Sequence, residues 1–298
     1  MPIPKTIVVP LDGSSFSERA LPVAGALAER LDAGLVLVTA PWQQDPDDAS
    51  DYLQQIATET PTRIVETIVD YDRVPIEAIA DAARAGPDRV VCIATHGRGR
   101  FRWAVIGSVA EAVVSRSAEP VVLVGPRGSA ESLRAPRRIV ICVDRFPESH
   151  ASIPHAIEWA KALHLDVEVA LVIHPSDEED EAYDDVLLGP LADRIAGEGV
   201  AANPVLLRNS YPAGALVDLA EALPAALLAM TTHTRTGLAR FMIGSVTMGV
   251  LNSAPCPVLV TRPEDQSATE LRQLAAALAG DRATAPREAA NDELHRHR

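Results

Sequence analysis

The sequence predicts an α/β protein of two tandem domains, each a doubly wound, five-stranded parallel sheet. Two observations carry this. The chain says nearly the same thing twice: "ATHGRGRFRWAVIGSVAEAVV" (94–114) returns as "TTHTRTGLARFMIGSVTMGVL" (231–251), an offset of 137 residues that pairs His96 with His233 and Gly107-Ser108-Val109 with Gly244-Ser245-Val246. In each copy, short continuous apolar runs alternate with amphipathic stretches. That pattern belongs to parallel strands covered on both faces by helices. With 298 residues the chain has room for about two domains of ordinary size. Self-similarity over so long a period means a duplicated domain; a solenoid repeats every 20–50 residues or so.

In the first copy the β-branched runs "TIVVPL", "LVLVTA", "RIVETIV", "RVVCIA" and "VVLV" read as strands. Between them, stretches such as "FSERALPVAGALAERL" have apolar residues at a period near 3.6 and read as helices. The second copy repeats the plan with "RIVICV", "VEVALVI", "PVLL", "ALLAM" and "VLVT". Its first block lies at an offset of 132, pairing Asp12 with Asp144 and Pro22 with Pro154. "VPIEAIADAA" then pairs with "YPAGALVDLA" at 137, so the second copy carries five extra residues in between; the acidic run "SDEEDEAYDD" (176–185) is the candidate.

The expected domains are 1–128 and 137–262, joined by "GPRGSAESLRAPR" (125–137), whose Gly, Pro, Ser and Arg read as a linker. In the segment 263–298, Ser267 and Glu270 form a capping box, Leu271, Leu274 and Leu278 form a stripe, and Gly280 ends it. One short helix is expected there, followed by disorder. "PVVLV" and "PVLVT" are short apolar strands that would be open edges, and pairing them within one chain removes that hazard.

Composition excludes several classes. The formal charge is −14, with 13 basic against 18 acidic residues in 1–136, 9 against 16 in 137–262 and 5 against 7 in the tail. No segment is net basic, so phosphate-backbone binding to nucleic acid is disfavoured. No apolar run approaches the roughly 18 residues that cross a bilayer. The start, "MPIPKTIVVPLDGS", does not read as a secretory signal, and the expected location is the cytoplasm. Cys92, Cys142 and Cys256 sit singly in or beside apolar runs and read as buried free thiols, without a disulfide framework or zinc site.

Open parallel sheets bind ligands at the carboxyl ends of their strands, where the winding reverses. "RVVCIA" ends at Ala94, a loop follows, and a helix opens near Ser108. Gly107 lets a ligand approach the backbone. Ser108 is expected to cap the helix and offer a hydroxyl, and the free N–H groups of a first turn favour an anion. Gly97 and Gly99 suit a loop that wraps as a nest of N–H donors, with Arg98, Arg100 and Arg102 adding charge beside it. The whole reads as a phosphate cradle. The plainer reading, a helix cap beside a solvated loop, stays open on pattern alone.

The duplication, the strand-end "THGRG", the "IGSVAEAVV" and "APCPVLV" endings and "VPLDGS" together resemble the universal stress protein family over about residues 5–262, twice over. The resemblance implies an adenine nucleotide alpha hydrolase-like fold. In the family's ATP-binding branch the loop runs Gly, two residues, Gly, nine residues, then Gly-Ser or Gly-Thr. Gly97 and Gly107-Ser108 match, while Ala94 stands at the first glycine; in the second copy Thr231 and Thr234 stand at both, and only Gly244-Ser245 match. Arg145 and Phe146 also replace Gly13 and Ser14. The resemblance therefore implies one ATP site, in the first half, bordered by Pro10, Leu11, Asp12, Ala40, Ala94, Gly97, Arg98, Gly107, Ser108 and Val109. Mg2+ would come with the phosphates, with no separate protein metal site. Pairing of the halves as an internal pseudo-dimer is implied too, and a further homodimer is compatible with the sequence.

Other nucleotide and hydrolase motifs are missing. "LDGSSFSE" lacks the glycines of a dinucleotide fingerprint, neither Lys5 nor Lys161 fits a P-loop, and no G-x-S-x-G or H-E-x-x-H occurs. No acid–base constellation points to catalysis. Two functions remain: an ATP-binding stress-response regulator, or a non-nucleotide module acting through dimerisation or protein contact.

Overall fold

The computed structural model describes residues 3–41, 46–86, 88–96, 106–134, 138–176, 187–223, 225–232 and 243–263. The strands of the first half are β1 (Thr6–Pro10), β2 (Gly34–Thr39), β3 (Ile64–Val69), β4 (Arg89–Ala94) and β5 (Val121–Val124). Those of the second are β6 (Arg138–Val143), β7 (Asp166–Ile173), β8 (Ala202–Arg208), β9 (Ala225–Thr231) and β10 (Val258–Thr261). Every apolar run read as a strand is one. The helices are α1 (Ala20–Leu31), α2 (Pro46–Glu59), α3 (Pro75–Arg84), α4 (Ser108–Arg116), α5 (Ile153–Leu163), α6 (Gly189–Gly197), α7 (Pro212–Ala222) and α8 (Ser245–Ser253).

The ten strands of the described residues form one sheet in the order β3-β2-β1-β4-β5-β10-β9-β6-β7-β8. Every pairing is parallel except β5 with β10, where Val121–Leu123 run antiparallel to Val258–Val260. The two last strands thus close each other's edges, and the second half repeats the first about a pseudo-two-fold axis between them. Alternate residues feed opposite faces. Ile7, Val9, Leu35 and Leu37 join the core under α1, α2, α5 and α6, while Val8, Val36, Val91 and Ile93 join the core under α3, α4, α7 and α8. Helices change face after β1 and β4, so the winding reverses between those neighbouring strands. The outermost strands depart from full burial: Glu66 of β3 is exposed and Val65 is 49% exposed. β8 carries Pro204, which an edge strand tolerates because no outer partner needs its missing N–H.

α1 shows why these segments are helical. Val23, Ala24, Leu27, Ala28 and Leu31 recur at helical spacing and are buried, and the helix ends where Asp32 turns left-handed (φ 50°) and the Ala33 N–H bonds Ala28 O (2.8 Å). α5 ends in the same way at His164 (φ 54°), its partner at the 132-residue offset. All three cysteines are free and buried, and burial pushes their thiols up, Cys256 to about 12, which leaves them unreactive.

The segment read as a linker is a docked strap. Residues Ala130–Leu133 form a 3-10 turn capped by Ser129 Oγ, and Leu133 is buried among core residues of α1. Arg127 bonds Ser253 O (3.0 Å) and Glu221 (2.9 Å), the Ser129 N–H bonds Pro255 O (3.1 Å), and Ser132 Oγ reaches Ala226 O (3.3 Å). Arg30 of α1 donates to Leu133 O and to Leu163 O at the end of α5, tying both halves to the strap. The helix expected at 267–280 lies outside the described residues.

Candidate functional site

The carboxyl ends of β2, β1 and β4 lie side by side, about 4.8 Å from strand to strand. Pro10 is the buried last residue of β1, paired with Val38. Leu11 continues the sheet through its N–H to Val38 O (2.8 Å), and half-buried Ala40 follows β2. Ala94 ends β4 and is buried. Next to it Thr95 anchors the crevice wall: its N–H bonds Val124 O (3.0 Å), and its carbonyl accepts the Gly107 N–H (2.7 Å). That bond carries the start of α4 back to the strand end from which the loop departed. Sequence reasoning missed Thr95, although Thr232 recurs at the 137-residue offset and makes the same N–H bond to Thr261 O (2.9 Å).

Gly107, and not Ser108, is the N-cap of α4, with no side-chain cap. Ser108 is the first helical residue and is exposed; the cap role expected of it is corrected, because its backbone is already helical. Val109 follows, packed against the core. The first-turn N–H groups of α4 thus lack a side-chain cap at the crevice edge, while Glu111 N–H takes Gly107 O (2.9 Å). The glycine requirement at 107 is closeness: a Cβ there would lie 3.3 Å from Thr95 O. Gly97 and Arg98, with Gly99, Arg100 and Arg102, lie outside the described residues.

Asp12 begins a tight turn. Its Oδ1 accepts from the Ser14 N–H (3.0 Å) and hydroxyl (2.5 Å), and its N–H bonds Ser17 Oγ (3.2 Å). Gly13 in this turn has φ 76°, a left-handed conformation that glycine supplies without strain. Tyr52 of α2 donates to Glu18 (2.9 Å), and burial with the nearby Glu18 and Asp12 charges raises its pKa. This face of the crevice carries the acidic side chains of Asp12 and Glu18.

His96 shares a 2.9 Å hydrogen bond with Thr95 Oγ1, a loop-stabilising arrangement. Burial lowers its pKa below the usual imidazole value. Because the folded-state pKa is the lower one, the unfolded chain takes the proton first. His96 therefore contributes stability above about pH 6.5 that is lost as pH falls through the folded-state value. The wild type should lose more unfolding free energy than His96→Gln between about pH 7.5 and 5.5. Parallel pH–stability curves would discount this.

The second crevice is built differently. Asp144 Oδ1 accepts the Phe146 N–H (2.7 Å), and the Asp144 N–H bonds Ser149 Oγ (2.9 Å), repeating the first turn's bonds. The signal available in the sequence was Ser17 with Ser149, at the 132-residue offset. Arg145 has no positive φ where Gly13 has one, so the two turns follow different paths. Above them, Thr231 is buried at the end of β9. Its Oγ1 donates to Ser149 O (2.8 Å) and accepts the Ser152 N–H (3.0 Å). Ala94 stands in Thr231's place in the first half and offers only a methyl group, and the Ala20 N–H, equivalent to that of Ser152, bonds Ser17 O and Glu18 O within its own turn. A polar staple therefore joins the loop after β6 to the end of β9. Thr231→Ala should cost about 1–3 kcal/mol by orphaning two buried backbone groups. A denaturant midpoint equal to that of the wild type would refute the staple.

The model of the Universal stress protein family matches residues 4–125 and again 136–262. The chain belongs to the universal stress protein family. A universal stress protein of Mycolicibacterium smegmatis is 28% identical over 292 residues, covering 86% of this chain and 97% of that protein. One from Methanocaldococcus jannaschii is 30% identical over 140 residues, 42% of this chain and 82% of its own. Among solved structures, a universal stress protein from Archaeoglobus fulgidus superposes with a TM-score of 0.63 at 19% identity, covering 87% of this chain and 99% of that one. A putative universal stress protein from Pseudomonas aeruginosa gives 0.61 at 19% identity, over 91% and 98%. These structural likenesses bear on the fold alone. Among the described residues no helix is long and apolar enough to cross a membrane, and no group of three His, Cys, Asp or Glu gathers to hold a metal ion.

Proposed function

We propose that domain 1–128 of this universal stress protein binds ATP, that domain 137–262 is a degenerate partner, and that nucleotide state regulates its contacts as a cytoplasmic stress-response protein. The asymmetry between the two crevices carries this reading. Both crevices open a helix on a glycine N-cap without a side-chain cap, but the first presents only the Ala94 methyl at the strand end, where the second is crossed by the Thr231 staple. An uncapped helix start with a glycine N-cap suits a phosphate, and the adjoining strand ends at Pro10, Leu11 and Ala40 offer an apolar border for adenine. Mg2+ would arrive on the phosphate oxygens and shield them from Asp12 and Glu18. We propose no catalytic residue.

The test is direct. Purified protein should release adenine nucleotide on denaturation, and ATP with magnesium should raise its melting temperature. Ligand at 100 times its Kd adds about 2.7 kcal/mol, or about 4 °C for a chain of this size. No adenine and no shift would defeat the nucleotide reading. A protein-interaction module would then lead, a reading favoured by alanine in place of the family's first loop glycine at position 94 and by the engagement of Asp12 Oδ1 within its own turn.

A further inference from the structure

Opposite the crevice, at the amino edge of β4 and β5, a pocket of about 440 Å3 opens between α3 and α4. Its apolar floor includes Ile79, Val91 and Val113, and its rim carries Arg84, Arg89 and Arg116. The pseudo-two-fold axis says what belongs there. The strap leaves β5 and docks on the amino edge of the second half, on Glu221, Ala226, Ser253 and Pro255. Subtracting the 137-residue offset turns those four into Arg84, Arg89, Arg116 and Ala118, and all four line the pocket. The pocket is the two-fold counterpart of the strap's seat.

The chain that leaves β10 is positioned to fill it. β10 runs antiparallel to β5, so its carboxyl end lies at the amino edge of the first half, and Arg262 there bonds Ser115 O of α4. The sequence beyond repeats the strap. Pro126 corresponds to Pro263, and "SAESLR" (129–134) to "SATELR" (267–272), with one residue inserted. Leu133, buried in the strap, becomes Leu271, the first leucine of the tail's apolar stripe. The charges are exchanged as well. Arg127 pairs with Glu221 in the strap; the same positions on the other side are Glu264 and Arg84. The segment 264–272 holds three acids and one base, Arg272, against a pocket lined by three arginines and one acid, Glu119.

We propose that the chain's own segment 264–272 docks in this pocket as a second strap, with Leu271 as its apolar anchor and Glu264 facing Arg84. At Arg84 it competes with the exposed Arg84–Asp81 pair (3.3 Å), an interaction of small worth, while Arg89 stays engaged with Glu66 (3.3 Å). Each half is then clasped by the segment that follows the other half's last strand.

Hydrogen exchange of the full-length protein, read by mass spectrometry, tests this. In Leu271→Asp, peptides spanning 80–89 and 113–120 should exchange roughly tenfold faster or more, because a buried leucine is replaced by a charge. Glu264→Arg and Arg84→Glu should each speed exchange there about twofold, and the double variant should restore the wild-type rate. The charge exchange keeps the idea falsifiable even if Leu271→Asp perturbs folding. Unchanged exchange in all variants would overturn the proposal, as would losses in the single variants that the double does not rescue. Protection that grows with protein concentration would also overturn it, by assigning the pocket to the tail of a second copy.

Discussion

Gly125→Ala should lower the unfolding free energy by about 3 kcal/mol or more. A Cβ on Gly125 would lie 1.9 Å from Leu251 O and 3.0 Å from its carbonyl carbon. Both obstacles are backbone, near the end of α8, and a rotamer change cannot relieve them. Either the strap lifts from the second half or α8 shifts against β10. Lifting the strap would also strain Arg127 against Ser253 and Glu221, and Ser129 against Pro255. Urea unfolding measures the loss, with Gly189→Ala as the control: a Cβ there meets nothing within 4 Å. If the two variants unfold at the same midpoint, the close approach of the strap to α8 is not a feature of the folded protein.

Gly107→Val should abolish ATP-dependent stabilisation while the fold persists. The added branch would crowd Thr95 O, 3.3 Å from the Cβ position, and stand at the helix start where the proposed phosphate approaches. Valine is also a poor N-cap, so the unliganded protein should lose about 1 kcal/mol. Gly244→Val should cause a similar intrinsic loss at the start of α8 but leave the ATP shift intact, because the proposed site lies in the first half. Calorimetric titration separates the two effects. Equal loss of nucleotide in both variants would show that both halves bind, and an undiminished shift in Gly107→Val would remove α4 from the site.

The fold was legible because its signals are local. Runs such as Arg89–Ala94 and Arg138–Val143 are continuous and apolar since both faces of a central strand are covered, and the duplication shows each signal twice. The candidate site was legible in part. Gly107 stood out by recurrence, but its partner Thr95 O is a backbone atom and leaves no trace in residue type. Ser108 was misassigned by one position because cap and first helical residue differ in backbone angles, which composition does not encode.

The sequence by itself determined the two halves, their ten strands and the glycine-bearing start of α4, since spacings of two to four residues carry that information. Only the tertiary structure decided that 125–134 is a docked strap, that Gly125 sits against Leu251, and that Thr231 staples the second crevice. Those contacts join residues far apart in the chain, 126 positions for Arg127 with Ser253 and 82 for Thr231 with Ser149. A single buried hydroxyl or a glycine at a point of backbone contact belongs to no periodic pattern. It acquires meaning only when the fold brings its partner alongside.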